Sequence, residues 1–185
     1  LGIITAAVLK LFPMPVVKWT SLISVQSFKA AVDLLSLFQE KASSGLTGFE
    51  VMSKASVDLL TEYFPELNND ITIPISSIDT FVKETNQLLE QYQPNIRMIN
   101  FGHLGDGNLH YNVAAPKGHD ALEFMKKHAD QIQEIVYAQV DKFNGSMSAE
   151  HGIGQVKTSR MVEHRGEVAV NLMRQIKKSL DPNNI

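Results

Sequence analysis

Apolar positions along the chain change rhythm several times, and each change marks an element. Leu1 to Phe12 is an almost unbroken apolar run that reads as a buried strand, and Pro13-Met14-Pro15 cannot continue a central strand and marks a connector. Val16 to Val25 resumes with β-branched and aromatic residues. Ser27 stands where an N-cap belongs, ahead of Phe28, Val32, Leu35 and Phe38 at helical spacing, and Lys41 to Gly45 ends that helix. Leu46 to Val51 reads as a short strand, after which Ser53 opens a second amphipathic helix with Val57, Leu59 and Leu60 inward, closing near Phe64-Pro65. Ile71 to Ile75 is a short extended segment. A third helix begins at Ser77 or Asp79, runs through Phe81, Leu88 and Leu89 to Tyr92, and is broken by Pro94. Ile96 to His103 and Leu109 to Ala115 form a strand pair. Residues 119–143 carry a long helix with Leu122, Met125, Ile132, Ile135, Val136 and Val140 inward, closed by Asn144-Gly145. A last helix, Gly166 to Leu180, places Val168, Leu172, Met173 and Ile176 inward.

Strands and helices therefore interleave around at least one antiparallel hairpin. This pattern predicts an α+β fold, an antiparallel sheet with helices on one face, for which a ferredoxin-like arrangement is the natural small version. Asp106-Gly107 predicts a two-residue type I′ turn, because that turn needs positive φ at both central positions. Counting outward from it sets His103 opposite His110, with Cβ atoms about 4.5–5.5 Å apart, and puts Asn112 on the same surface as His110. Two such imidazoles can converge on one metal ion. A glycine-rich hairpin whose histidines serve packing alone is the competing explanation.

Composition narrows the partners. A net charge of −3 in 185 residues, with lysines spread along the chain, gives no basic stripe, so nucleic acid is not an expected partner. With no cysteine there is neither a disulfide framework nor a thiolate site, and any ion must be held by His, Asp, Glu, Asn or backbone groups. The apolar start is too short to span a membrane and lacks the marks of a signal peptide. Neither end looks like a natural terminus, and both read as cuts through a longer protein.

A second chemically marked stretch separates the long helix from the last one: Gly145-Ser-Met-Ser-Ala-Glu150-His151-Gly152-Ile153-Gly154. Its two later glycines suggest close backbone approach, while Glu150 and His151 place an anionic ligand beside a titratable base. With the two hairpin histidines, Glu150 would complete a two-histidine, one-carboxylate set with an open position, the layout of a catalytic rather than a structural metal site. A capped turn with Glu150 in solvent is the alternative. His119 and His128 read as surface groups of the long helix, His164 as a loop residue, and Trp19 and the methionines as core fillers.

His103-Leu-Gly-Asp-Gly-Asn-Leu-His110, followed some forty positions later by Ser148-Ala-Glu-His-Gly-Ile-Gly154, closely resembles the C-terminal domain of FAD-linked oxidases of the vanillyl-alcohol oxidase type. Within them the chain is most similar to the D-2-hydroxyacid dehydrogenases, which include D-2-hydroxyglutarate dehydrogenase and the D-lactate and glycolate oxidising enzymes. Leu1-Gly-Ile-Ile-Thr with Leu11-Phe-Pro13, Phe49-Glu50, Asp70-Ile-Thr-Ile-Pro-Ile-Ser76 and Leu180-Asp-Pro extend the resemblance over nearly the whole chain. It implies that His103, His110 and Glu150 hold a divalent metal, zinc, that Asn112 lies beside the substrate, and that His151 is the general base. It further implies FAD as cofactor, with Gly2 and Ile3 at the end of the flavin domain, and a small-molecule 2-hydroxyacid as substrate. Residues 1–13 would then be the tail of an FAD-binding domain and residues 14–185 the substrate and metal cap, inactive alone. The family's strand, helix and arginine between Phe64-Pro65 and Asp70 have no counterpart here, nor does a lysine before that Asp. The resemblance places the protein in the cytoplasm, or in the mitochondrial matrix of a eukaryote, and leaves the electron acceptor and a homodimer open. A stand-alone ferredoxin-like module that binds a metal or carboxylate without redox chemistry is the other function considered.

Overall fold

A computed structural model describes residues 4–59, 69–155 and 157–183. The chain divides into two units, Val25–Ile153 and a second made of Leu1–Ser24 with Gly154–Ile185.

The larger unit holds helix α1 (Phe28–Ala42), strand β1 (Glu50–Met52), α2 (Lys54–Leu59), β2 (Asp70–Thr72), α3 (Ile78–Tyr92), β3 (Arg97–His103), β4 (Asn108–Ala114) and α4 (Ala121–Lys142). Its caps follow from local chemistry. Ser27 Oγ accepts the Ala30 N–H at 3.1 Å, and Asp120 Oδ1 accepts the Glu123 N–H at 2.8 Å, satisfying donors that the first helical turn leaves free. The four strands form one antiparallel sheet in the order β1-β3-β4-β2, and an isolated antiparallel bridge ties Thr72 to Ser146 on the far side of β2. Ser146 thus stands where the fourth strand of a βαββαβ unit belongs, and the spatial sequence 146-β2-β4-β3 is the ferredoxin-like order, with β1 added at the opposite edge.

One face of the sheet carries Ile71, Leu109, Tyr111 and Val113, all fully buried. Phe81 of α3 meets Tyr111 edge-on with centroids 5.5 Å apart and Phe143, just after α4, at 5.9 Å, so this face is the core, covered by helices. Burying a side chain of this size contributes about 1.5–3 kcal/mol. Residues at alternate positions, among them Asp70, Phe101, His110 and Asn112, belong to the other face. Gly145, just after α4, is confined by packing: a Cβ there would strike the Thr72 carbonyl, so only glycine lets the chain come alongside β2.

Several expectations need correction. Residues 4–25 form no strand, and Val8, Leu11, Val16, Trp19 and Leu22 are exposed. An apolar run becomes a strand only when a neighbour pairs its backbone, and none among the described residues does so. The long helix buries Phe124, Ile132, Val136 and Val140. Leu122, expected inward, sits about 200° around the helix from Phe124 and is 64% exposed. Val57 in α2 is likewise exposed, and Leu60 lies outside the described residues. In the smaller unit, α5 (Met161–Arg165) contains His164, expected in a loop. Helix α6 (Glu167–Leu180) exposes Val168 and Leu172, which spacing had placed inward, and buries Val170. His119 precedes α4 rather than lying on it, and His128 packs on Tyr92 and Phe124.

Candidate metal and substrate site

The non-helical face of β2 and β4 and the loop after Ser146 build the site. The register of β2 against β4 sets Asp70 opposite His110. The Thr72–Ser146 bridge, with N–H···O distances of 3.0 and 2.9 Å, brings the following loop alongside β2. There Asp70 Oδ2 accepts three consecutive backbone N–H groups, from Ala149 at 3.1 Å, Glu150 at 3.1 Å and His151 at 3.0 Å. Burial pushes the Asp70 carboxyl upward in pKa. The three N–H donors and the nearby His151 outweigh it and hold the group below the ordinary aspartate range.

This anchored loop presents Glu150 and His151 to the sheet. His110 Nε2 lies 3.4 Å from Glu150 Oε1, His110 Nδ1 lies 4.0 Å from Asp70 Oδ1, and His151 Nε2 lies 3.8 Å from Glu150 Oε1. The His110 ring stacks on Phe101 at 4.8 Å and stands 5.6 Å from the His151 ring. Asp70, His110 and Glu150 each offer a ligand atom, and these atoms lie within 4.8 Å of one another. The buried His110 imidazole and the half-exposed Glu150 carboxylate, 3.4 Å apart, are donors suited to a divalent cation, so these residues fit a metal ion. Glu150 and His151 are about half exposed, which leaves the open side of the group accessible to a small molecule.

His103 stands elsewhere than the turn count placed it. Asp106 has no positive φ and instead closes a single helical turn, Leu104–Asp106, followed by the left-handed Gly107. The connection is therefore longer than a two-residue type I′ turn, and His110 pairs with Phe101 rather than with His103. His103 pairs with Glu50 of β1, its Nε2 3.8 Å from Glu50 Oε1, and Asn108 Nδ2 lies 3.5 Å from its Nδ1. Asn112 does share the face of His110 but is fully buried. Gly152, expected to allow close approach, has φ +74° and open space where a Cβ would stand, so it answers a backbone conformation instead. Gly2 and Ile3, expected at the cofactor, lie outside the described residues, as does most of the junction near 65–70. Asp70 carried no assigned role in the sequence. Its signal was a charged residue opening an apolar extended run, but only the β2–β4 register reveals what it faces.

Comparison with known proteins shows the family. Residues 60–185, more than half of the chain, match the domain described as FAD linked oxidases, C-terminal domain, and the chain belongs to that family. It is 32% identical over 181 residues to a D-2-hydroxyglutarate dehydrogenase of Stutzerimonas stutzeri, covering 85% of this chain and 39% of that protein. It is 40% identical over 125 residues to a D-2-hydroxyglutarate dehydrogenase of Xanthomonas citri pv. viticola, covering 68% and 26%. A D-lactate dehydrogenase of Anaerostipes hadrus is 35% identical over 116 residues, covering 63% and 24%. The chain thus spans well under half the length of these relatives. Among the described residues no helix is long and apolar enough to cross a membrane.

Proposed function

We infer that this chain is the substrate and metal-binding part of an FAD-dependent dehydrogenase that oxidises a D-2-hydroxyacid to a 2-oxoacid. The carrying observation is the convergence of His110, Glu150 and His151, with neighbouring side-chain atoms 3.4 and 3.8 Å apart, on the family's own motifs. His110 and Glu150 would hold a divalent ion, zinc in this reading, with His103 as the third ligand that the resemblance implies. An ion held there would supply Lewis acidity that makes a substrate hydroxyl easier to deprotonate. His151, half exposed beside Glu150, is placed to receive that proton at Nε2, and the adjacent carboxylate favours the imidazolium that results. Asn112 would contact substrate only if uncovered. The hydride acceptor is FAD, bound mainly outside this chain.

The short junction before Asp70 fits a substrate-clamping segment that is missing from this sequence rather than a protein without one. The alignment to the S. stutzeri protein runs over 181 positions yet takes in 85% of the 185 residues here, so the relative has residues that this chain lacks inside the matched span. The identity of the 2-hydroxyacid follows from a screen rather than from the motifs.

Bleaching of the flavin in the whole flavoprotein, with D-2-hydroxyglutarate, D-lactate and glycolate as trial substrates, tests the assignment. At least one should reduce the flavin, and His151→Gln should slow reduction about 10²–10⁴-fold, the usual worth of a general base. Reduction unaffected by His151→Gln and by chelation contradicts it. The competing module without redox chemistry predicts ligand binding and no bleaching.

A further inference from the structure

Asp70 is a buried carboxylate, 3% exposed, for which the proposed reaction has no task. Its two oxygens face different partners. Oδ2 gathers the N–H groups of Ala149, Glu150 and His151, while Oδ1 faces Nδ1 of His110 at 4.0 Å, beyond direct hydrogen-bond length but on the side of the ring away from Nε2. The other nitrogen of that ring, Nε2, is the one directed to Glu150, at 3.4 Å. We propose that Asp70 is a positioning residue rather than a metal ligand: it fixes the backbone that carries Glu150 and His151 and orients His110 so that Nε2 joins Glu150 at the ion.

This deepens the metal reading above and rests on it. Two physical points favour positioning over ligation. Oδ2 already accepts three N–H groups, which occupies its lone-pair directions, and Oδ1 lies beside Nδ1 of His110 rather than beside the Nε2 that meets Glu150. A carboxylate behind the far nitrogen of a ligating histidine is the usual device that sets its tautomer and ring orientation, and losing such a group lowers metal affinity about 10–100-fold rather than abolishing it. Both tasks meet in one side chain because β2 lies between β4, which carries His110, and the loop that carries Glu150.

The test titrates zinc into the 185-residue chain against a chromophoric chelator and follows amide hydrogen exchange at residues 149–151. The unsubstituted chain should bind one zinc and protect all three amides before zinc is added. Asp70→Asn should still bind one zinc, about 10–100-fold more weakly, and deprotect those amides. His110→Ala should bind none. Unchanged affinity and protection in Asp70→Asn overturn the proposal, as does complete loss of zinc with the amides still protected, which would make Asp70 a ligand. If the unsubstituted chain binds no zinc, the metal reading falls and ligand presentation falls with it, while the exchange data still decide the backbone anchoring. Should Asp70→Asn fail to fold, exchange in the unsubstituted chain decides, because unprotected amides at 149–151 contradict the anchor directly.

Discussion

Two histidine–carboxylate pairs share one face of the sheet and are similarly spaced, with His103 Nε2 3.8 Å from Glu50 and His110 Nδ1 4.0 Å from Asp70. Their surroundings differ. The side chains of the first pair are 47% and 70% exposed, and those of the second 10% and 3%. Water and salt screen an exposed pair, whose worth is about 0–1 kcal/mol, whereas a buried carboxylate must have its oxygens satisfied and then fixes whatever satisfies them. Asp70 meets that demand with three backbone N–H groups and so determines where Glu150 and His151 stand, whereas Glu50 lies exposed in solvent beside His103. Distance from a histidine therefore does not separate the two carboxylates, whereas burial with committed donors does.

The sharpest way to break this contrast is at the metal. His110→Ala should remove zinc binding from the chain, a loss of more than a hundredfold, while Glu50→Gln should leave the affinity within a factor of about two; equal effects would erase the distinction between the pairs. Next comes stability. Asp70→Ala leaves three N–H groups without their acceptor, worth about 1–3 kcal/mol for each that water does not reach, and urea melts should register the loss. The pH dependence follows from the direction of the Asp70 shift. Its folded pKa lies below the ordinary value of 3.8, so its contribution is complete above that pH and disappears as the pH falls through the folded value. The stability gap between the parent and Asp70→Asn should therefore be constant from neutral pH down to about pH 5 and narrow below about pH 4. Gly145→Ala forces a Cβ against the Thr72 carbonyl and should lower stability by about 1–3 kcal/mol, loosening the bridge that delivers the loop. Smallest among the structural changes, Ser27→Ala removes the cap of the first helix, which carries none of the site residues, and should lower stability by about 1 kcal/mol without affecting zinc.

The same contrast explains what the sequence could disclose. The Ser27 cap, the helical stripe through Ile132, Val136 and Val140, and the pairing of the two strands around Asp106-Gly107 all rest on short-range chemistry and are visible as pattern. Register is different. Reading Asp106-Gly107 as a two-residue turn shifted the β3–β4 pairing by two positions, and a two-residue shift preserves the face each side chain occupies. His103, His110 and Asn112 were thus assigned to the correct surface while His103 was given the wrong neighbour. Asp70 escaped notice because its partners are 40 and about 80 residues away, across a strand pairing that no local motif records. The apolar stretch before Ser27 misled for the converse reason, since hydrophobic composition cannot supply a strand with a partner.

Binding of a divalent ion at His110 and Glu150, with Asp70 behind them, can be seen in a crystal. Anomalous diffraction at the zinc edge from crystals of this chain grown with zinc addresses it most directly. One strong peak is expected about 2.0–2.2 Å from His110 Nε2 and a Glu150 oxygen, with both Asp70 oxygens outside bonding distance. No peak at that place, or a peak bonded to Asp70 instead of His110, would contradict it.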